Sequence, residues 1–320
     1  MASRQRRGND DSSSRANRII KWVGAATAVI SLILGARQLI TIVTERGERS
    51  RESAEFTALA RQQADRGEFA DAWRSLDRAE ERSRTDATAA ARLDIGFRWL
   101  EEGRPGADQP FSRITDAVVP ALDRALLDPQ HPRRADILAH LGWATFLKGR
   151  DTGTGDPAPM YKQALAIDPH NVYANAMLAH WLMWQGGSLD AARPYFDAAI
   201  ASGHERPLVR TLQLAAVRNR SDTAADTELI RIVTDMRKQN EMVDQRSARA
   251  AYVTYVRRYG PRARPTDVVD NDIAPVDLVA TFVWLSRMSG VSDDPDVNNQ
   301  VVEALNKPAV KRDGASGNSH

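Results

Sequence analysis

Residues 137–202 contain the same pattern twice, and this repetition constrains the fold more than any other feature of the chain. In each copy a leucine followed by a small residue precedes a glycine by eight positions, and an alanine follows a tyrosine by three. The matching residues are Leu141-Gly142, Gly149, Tyr161 and Ala164 in one copy, and Leu178-Ala179, Gly186, Tyr195 and Ala198 in the other. This spacing predicts pairs of packed helices, and hence a helical repeat.

Two further copies of the pattern precede this pair. They are Leu59-Ala60 with Gly67 and Ile95-Gly96 with Gly103, each glycine again eight residues after the first apolar residue. The second of these copies is interrupted by residues 104–110, whose two prolines exclude a continuous helix. Glycine readily adopts the left-handed conformation that often ends a helix. The glycine of each copy is therefore predicted to end its first helix: Gly67, Gly103, Gly149 and Gly186.

These features resemble the tetratricopeptide repeat (TPR), a helical hairpin of about 34 residues with small residues where its two helices touch and a proline at its exit. The resemblance extends roughly over residues 53–203, although only two copies keep the Asp-Pro exit, at Asp128-Pro129 and Asp168-Pro169. It implies an all-α fold, an α-solenoid of TPR-like hairpins. The first four hairpins would occupy residues 44–203, followed by divergent helical repeats and a C-terminal cap over 204–306.

In this family the first helices of successive hairpins line a concave groove that holds an extended peptide or a partner's helix. The repeat register places six side chains toward that groove: Arg61, Trp143, Phe146, Tyr173, His180 and Met183. The alternative is that several of them fill the core between repeats, as we expect of Trp181 and Trp184. The lysine and asparagine of the family's peptide-carboxylate clamp are not present here. The resemblance therefore does not imply a ligand with an acidic tail.

A hydrophobic segment extends from residue 19 to residue 43. Its uncharged stretch, Trp22 to Ala36, has fifteen residues, fewer than the roughly 20 that a bilayer core requires. The whole segment is long enough when the alkyl stems of Lys21 and Arg37 reach toward the two interfaces. It is predicted to be a single transmembrane helix after a disordered basic arm over residues 1–18. A cleaved signal peptide, a buried core helix and an interfacial amphipathic helix are the alternatives.

The charges that flank this segment favour one orientation. Six Arg or Lys residues lie at or before its start and three follow it closely. Positive residues hold a segment on the cytoplasmic side. We therefore expect a cytoplasmic N-terminus in the cell inner membrane, with the C-terminal domain outside; a cytoplasmic C-terminal domain is the alternative. Residues 307–320 are predicted to form a disordered tail.

The composition excludes several kinds of chemistry. The chain has no cysteine, so it has neither disulfides nor cysteine ligands for zinc. Its 44 basic and 42 acidic residues leave little charge excess for a nucleic-acid binder. No metalloprotease or nucleophile-elbow motif is present, and the Gly-Thr-Gly at Gly153 lacks the other parts of a phosphate loop. We expect no catalytic residue, no cofactor, no metal ligand and no nucleic-acid partner.

Together these features predict a membrane-anchored TPR-type scaffold that recruits or organises partner proteins at a bacterial cell envelope. The expected partners are a protein or peptide in the groove and the lipid bilayer around residues 19–43, with membership of a multi-subunit membrane complex as a further expectation. The alternative is a structural subunit that stacks on other chains through its repeats. An enzyme within residues 205–305 is disfavoured, because that segment does not combine a nucleophile, a base and an orienting partner.

Overall fold

The computed structural model describes residues 43–103, 110–203, 206–218, 220, 222–264, 272–291 and 294–306. Within these ranges the chain forms thirteen helices and no strand. The all-α class predicted from the sequence is therefore confirmed. Two compact units divide between Gly103 and Arg104. This division coincides with the proline-containing interruption of the second repeat copy.

The first unit contains three helices. They are α1 over residues 43–65, α2 (Phe69–Arg82) and α3 (Asp86–Glu102). The charged stretch over 44–52 is helical and continuous with the first repeat copy. Residues 43–52 are all exposed, and Ser53 is the first buried residue of α1. On α3, Arg92 pairs with Asp77 of α2 at 2.7 Å and stacks on the Trp73 ring.

The second unit contains the other ten described helices. They are α4 (Phe111–Leu126), α5 (Arg134–Thr152), α6 (Ala158–Ile167), α7 (Val172–Trp184), α8 (Leu189–Ala201), α9 (Arg206–Arg218), α10 (Thr223–Lys238), α11 (Gln245–Tyr259), α12 (Pro275–Met288) and α13 (Pro295–Asn306). Their contacts follow a regular order: α5 packs on α6 and α7, α7 on α8 and α9, and α9 on α10 and α11. The second helix of each pair also contacts the first helix of the next pair. Helices that are close in sequence are therefore close in space.

The predicted left-handed glycine helix ends are confirmed in two of the four copies. Gly67 and Gly186 have φ angles of 78° and 79°, in the left-handed region. Gly103 ends α3 with φ −58° and donates its N–H to the Trp99 carbonyl. Gly149 remains inside α5, because the helix continues to Thr152 and the left-handed conformation falls at Gly153, with φ 73°. The predicted left-handed helix end was therefore wrong for Gly103, which ends its helix without that conformation, and for Gly149, which does not end its helix.

The predicted close helix contacts are confirmed by burial of the small residues Ala60, Gly96, Gly142 and Ala179. The tightest of these contacts joins α5 to α6. A Cβ atom at Gly142 would lie 2.6 Å from Cε1 of Tyr161, whose ring is fully buried. Because α6 then ends at Ile167 and Asp168 is extended, the predicted Asp-Pro exit is also confirmed.

Buried ion pairs link the later helices. Asp226 of α10 has only 3% of its side chain exposed and pairs with Arg257 and Arg258 of α11. The buried Arg210 of α9 binds Asp235 of α10 and the Glu241 carboxylate, the latter at 2.8 Å. These contacts hold α9, α10 and α11 together in the part of the chain where the repeat pattern fades.

No helix within the described ranges combines the length and apolar character needed to cross a bilayer. The predicted transmembrane segment over residues 19–43 lies outside those ranges except for Val43, as do the predicted basic arm over 1–18 and tail over 307–320. The anchor therefore stays a prediction from the sequence.

We expect Gly142→Ala to destabilise the second unit by about 1–3 kcal/mol, because the added methyl group overlaps the buried Tyr161 ring. Gly47→Ala is the matched control, since a Cβ at this exposed helical position would meet nothing within 4 Å. Thermal unfolding followed by circular dichroism measures both variants. Equal melting temperatures for Gly142→Ala and the wild type would contradict the close packing described here.

We expect Asp226→Ala to cost about 3–5 kcal/mol, because it removes the buried carboxylate that pairs with the buried Arg258. The control is Asp190→Ala: this carboxylate is 88% exposed and lies 3.4 Å from Arg193, so its loss should cost about 1 kcal/mol or less. Urea titrations give the two free energies of unfolding. Similar losses in both variants would show that the Asp226 network does not stabilise the fold.

Candidate partner-binding site

Two neighbouring helices, α5 and α7, bring most of the predicted groove residues together. Trp143 and Phe146 lie on α5, whereas His180 and Met183 lie on α7. Residues three or four positions apart share one face of a helix. Because α5 packs on α7, these two faces meet. We call Trp143, Phe146, His180 and Trp184 the aromatic cluster.

The rings of the aromatic cluster contact one another directly. Trp143 and Phe146 are stacked, with centroids 4.8 Å apart. The His180 ring is nearly perpendicular to Phe146 at 5.2 Å and to Trp143 at 5.5 Å. Trp184 meets Phe146 edge to face at 5.3 Å. These separations and angles are those that aromatic quadrupoles favour, so the cluster is a rigid apolar platform.

Exposure divides the cluster into a buried base and one open ring. Trp143, Phe146 and His180 are buried, as is the neighbouring Met183. Trp184, in contrast, is 57% exposed. The expectation that Trp184 fills the core was wrong, because α7 ends at this residue and no later turn of the helix covers its ring. Contact of the four buried side chains with a partner stays a prediction.

The other two predicted groove residues, Tyr173 and Arg61, are not part of the aromatic cluster. Tyr173 is at the opposite end of α7, where its ring meets His140 at 4.5 Å. It lines a separate cleft of about 770 Å³, together with Asp136, Asp168, His170, Asn171, Val172, Ala198, Ala201 and Ser202. In that cleft the Asn171 amide donates to the Asp136 carboxylate at 2.7 Å. Arg61 belongs to the first unit, where it is exposed on α1.

His180 is an unusual residue at the base of the cluster. Burial and, to a smaller extent, the positive charge of Arg150 lower the pKa of His180 from 6.5 to about 4. Its imidazole is therefore neutral at pH 7. Its buried Nδ1 atom has no hydrogen-bond partner in the structure as described. A buried polar atom without a partner costs free energy, so packing alone does not account for a histidine here.

Arg150, near the end of α5, supplies the charge at the open side of the cluster. Its guanidinium carbon lies 5.0 Å from the centre of the Phe111 ring and 5.8 Å from that of Trp184. The sequence pattern did not identify Arg150 or Trp184 as site residues. The signal was helical spacing, since Arg150 follows Phe146 by four residues and Trp184 follows His180 by four.

The chemistry of this site suits recognition of a partner's side chains. It offers an exposed indole ring and a stacked cation on a buried aromatic base that includes the neutral imidazole of His180. No three or more His, Asp or Glu side chains of the described residues are grouped so as to hold a metal ion.

We expect His180→Phe to reduce the pH dependence of stability. The folded-state pKa of His180 lies below its ordinary value, so the unfolded chain binds the proton first. The resulting stabilisation is present above pH 6.5 and is lost as the pH falls toward 4. Urea unfolding at pH 7.5 and pH 4.5 should show a loss roughly 2–3 kcal/mol larger for the wild type than for the variant. Identical losses would mean that the imidazole is not buried as described.

Comparison with known proteins assigns neither a family nor a function to this chain. No family model matches the chain, and neither a curated protein nor a solved structure gives a significant match. The TPR resemblance therefore rests on the residues quoted from the sequence, and the site rests on the geometry of this chain.

Proposed function

We propose that this chain is a TPR-type interaction scaffold that binds a partner protein at its aromatic cluster. The regular contacts among α5 to α11 support the stacking of hairpins that the repeat implies. So do the buried small residues, because they allow the close helix approach that such hairpins need. Stacked hairpins provide an extended surface for binding other proteins.

The observation that carries this proposal is the exposed Trp184 ring on a buried aromatic base. Tryptophan is enriched among the residues that contribute most to the energy of protein interfaces. Trp184 contacts Phe146 and lies 6.4 Å from His180, so a partner would meet a ring that is already fixed. A fixed ring loses little conformational entropy on binding.

We further propose that residues 19–43 anchor the scaffold in the inner membrane of a bacterium, with the N-terminus cytoplasmic and the helical units outside. Nine exposed helical residues, 44–52, separate that segment from the first buried residue of α1. They would form a spacer of about 14 Å. Protease treatment of intact spheroplasts tests the side: digestion of the helical units supports this orientation, and protection places them in the cytoplasm.

A second candidate function is a structural subunit that stacks on other chains. Val276 and Val283, seven residues apart on α12, are exposed. Residues with this spacing lie on one face of a helix. Such an exposed apolar stripe on α12 is suited to pack against a second subunit within a larger membrane complex.

We expect Trp184→Ala to weaken partner binding by about 30-fold or more, the effect of losing a central interface residue. Because the ring is largely exposed, stability should change by about 1 kcal/mol or less. Met242→Ala is the control, since it removes an exposed apolar side chain from the loop between α10 and α11. Proteins that co-purify with the full chain from detergent-solubilised membranes are quantified for both variants and the wild type.

A partner retained by the wild type and by Met242→Ala, but lost with Trp184→Ala, supports the scaffold function. The same partners on all three proteins would refute a binding role for the aromatic cluster. Recovery of only further copies of this chain on all three would favour the structural alternative.

A further inference from the structure

We propose that the partner segment carries an acidic side chain next to an apolar one, so that Arg150 binds the carboxylate while Trp184 packs against the apolar group. This inference rests on the proposed function of the aromatic cluster and identifies the chemistry of its partner. The occupant is a segment of another protein, bound through its side chains.

The position of Arg150 is fixed before any partner arrives. Its guanidinium lies over two rings from two other helices, Phe111 at the start of α4 and Trp184 at the end of α7. Stacking on aromatic faces restrains the long side chain and leaves its N–H groups able to donate to a partner. Because Arg150 also lies in the last turn of α5, the helix dipole favours its charge there.

The charged residues beside Arg150 are already engaged. Lys148 pairs with Asp116 at 3.0 Å. The Asp151 carboxylate accepts the Ser112 N–H at 2.7 Å and so occupies the exposed start of α4. Arg150 itself has ring contacts but no ion pair within the part of the chain that the structure describes. Among the described residues, Arg150 is therefore a cation without an ion pair that lies against the exposed tryptophan.

The single stacked guanidinium of Arg150 determines which chemical group of a partner binds best at this site. Its planar set of donors matches a carboxylate, with which it forms two parallel hydrogen bonds. Arg150 is the cation that contacts the Trp184 ring, and a single guanidinium suits one side-chain carboxylate better than a chain terminus that follows an acidic tail. A basic residue at this point would be repelled, so the same charge also rejects unsuitable partners.

The test is a selection of displayed random peptides, fused at both ends, on the full chain in detergent micelles. Wild type, Arg150→Gln, Trp184→Ala and the charge control Arg249→Gln, an exposed arginine on α11, are selected in parallel. The wild type and Arg249→Gln should enrich an aromatic or long aliphatic residue within three positions of Asp or Glu. Arg150→Gln should retain the apolar residue and lose the acidic one.

Affinities of a selected synthetic peptide then separate the outcomes. Replacing its acidic residue by the corresponding amide should weaken binding to the wild type about 10-fold and leave binding to Arg150→Gln unchanged. Apolar peptides without an acidic residue would overturn this inference but leave the proposed function standing. Enrichment confined to a parallel library with a free carboxyl end would also overturn it. If Trp184→Ala selects the same peptides as the wild type, the proposed function itself fails.

Discussion

The contact between Gly142 and Tyr161 fixes the rotation of α5 about its axis, and the arrangement of the second unit depends on that rotation. Tyr161 occupies the space that a Cβ at residue 142 would need, so only this face of α5 can meet α6. Trp143 follows directly and points about 100° around the helix, where it meets His180 of α7. A small residue at one position thus directs a large one at the next toward the neighbouring hairpin.

The later helices are held together by a different kind of contact. Where the small-residue pattern fades, Arg210 of α9 and Asp226 of α10 are buried and paired with charges on adjacent helices. A buried ion pair is costly to desolvate and contributes little net stability, but removing one partner is severely destabilising. Such pairs therefore determine which helices pack together. This difference explains why the order of contacts continues into α11 although the repeat pattern does not.

The sequence predicted the helices well because small residues, prolines and helical spacing act locally. It placed the exit of α6 at Asp168. It did not predict the exposure of Trp184, because this depends on where α7 ends relative to α5. Arg150 was missed for a related reason: helical spacing places it on the same face as Phe146, but its contacts with aromatic rings on α4 and α7 depend on how those helices pack.

The histidine at position 180 is not explained by the stability of the aromatic cluster alone. A phenylalanine would fill much the same space among Trp143, Phe146 and Trp184 without leaving Nδ1 unpaired. It would therefore improve stability by about 1–3 kcal/mol, the cost of an unsatisfied buried polar atom. A cluster built for stability alone would carry phenylalanine. A partner cannot reach this buried Nδ1 atom in the free chain, so the histidine lowers stability while the exposed indole ring of Trp184 and the guanidinium of Arg150 remain the groups that a partner can contact.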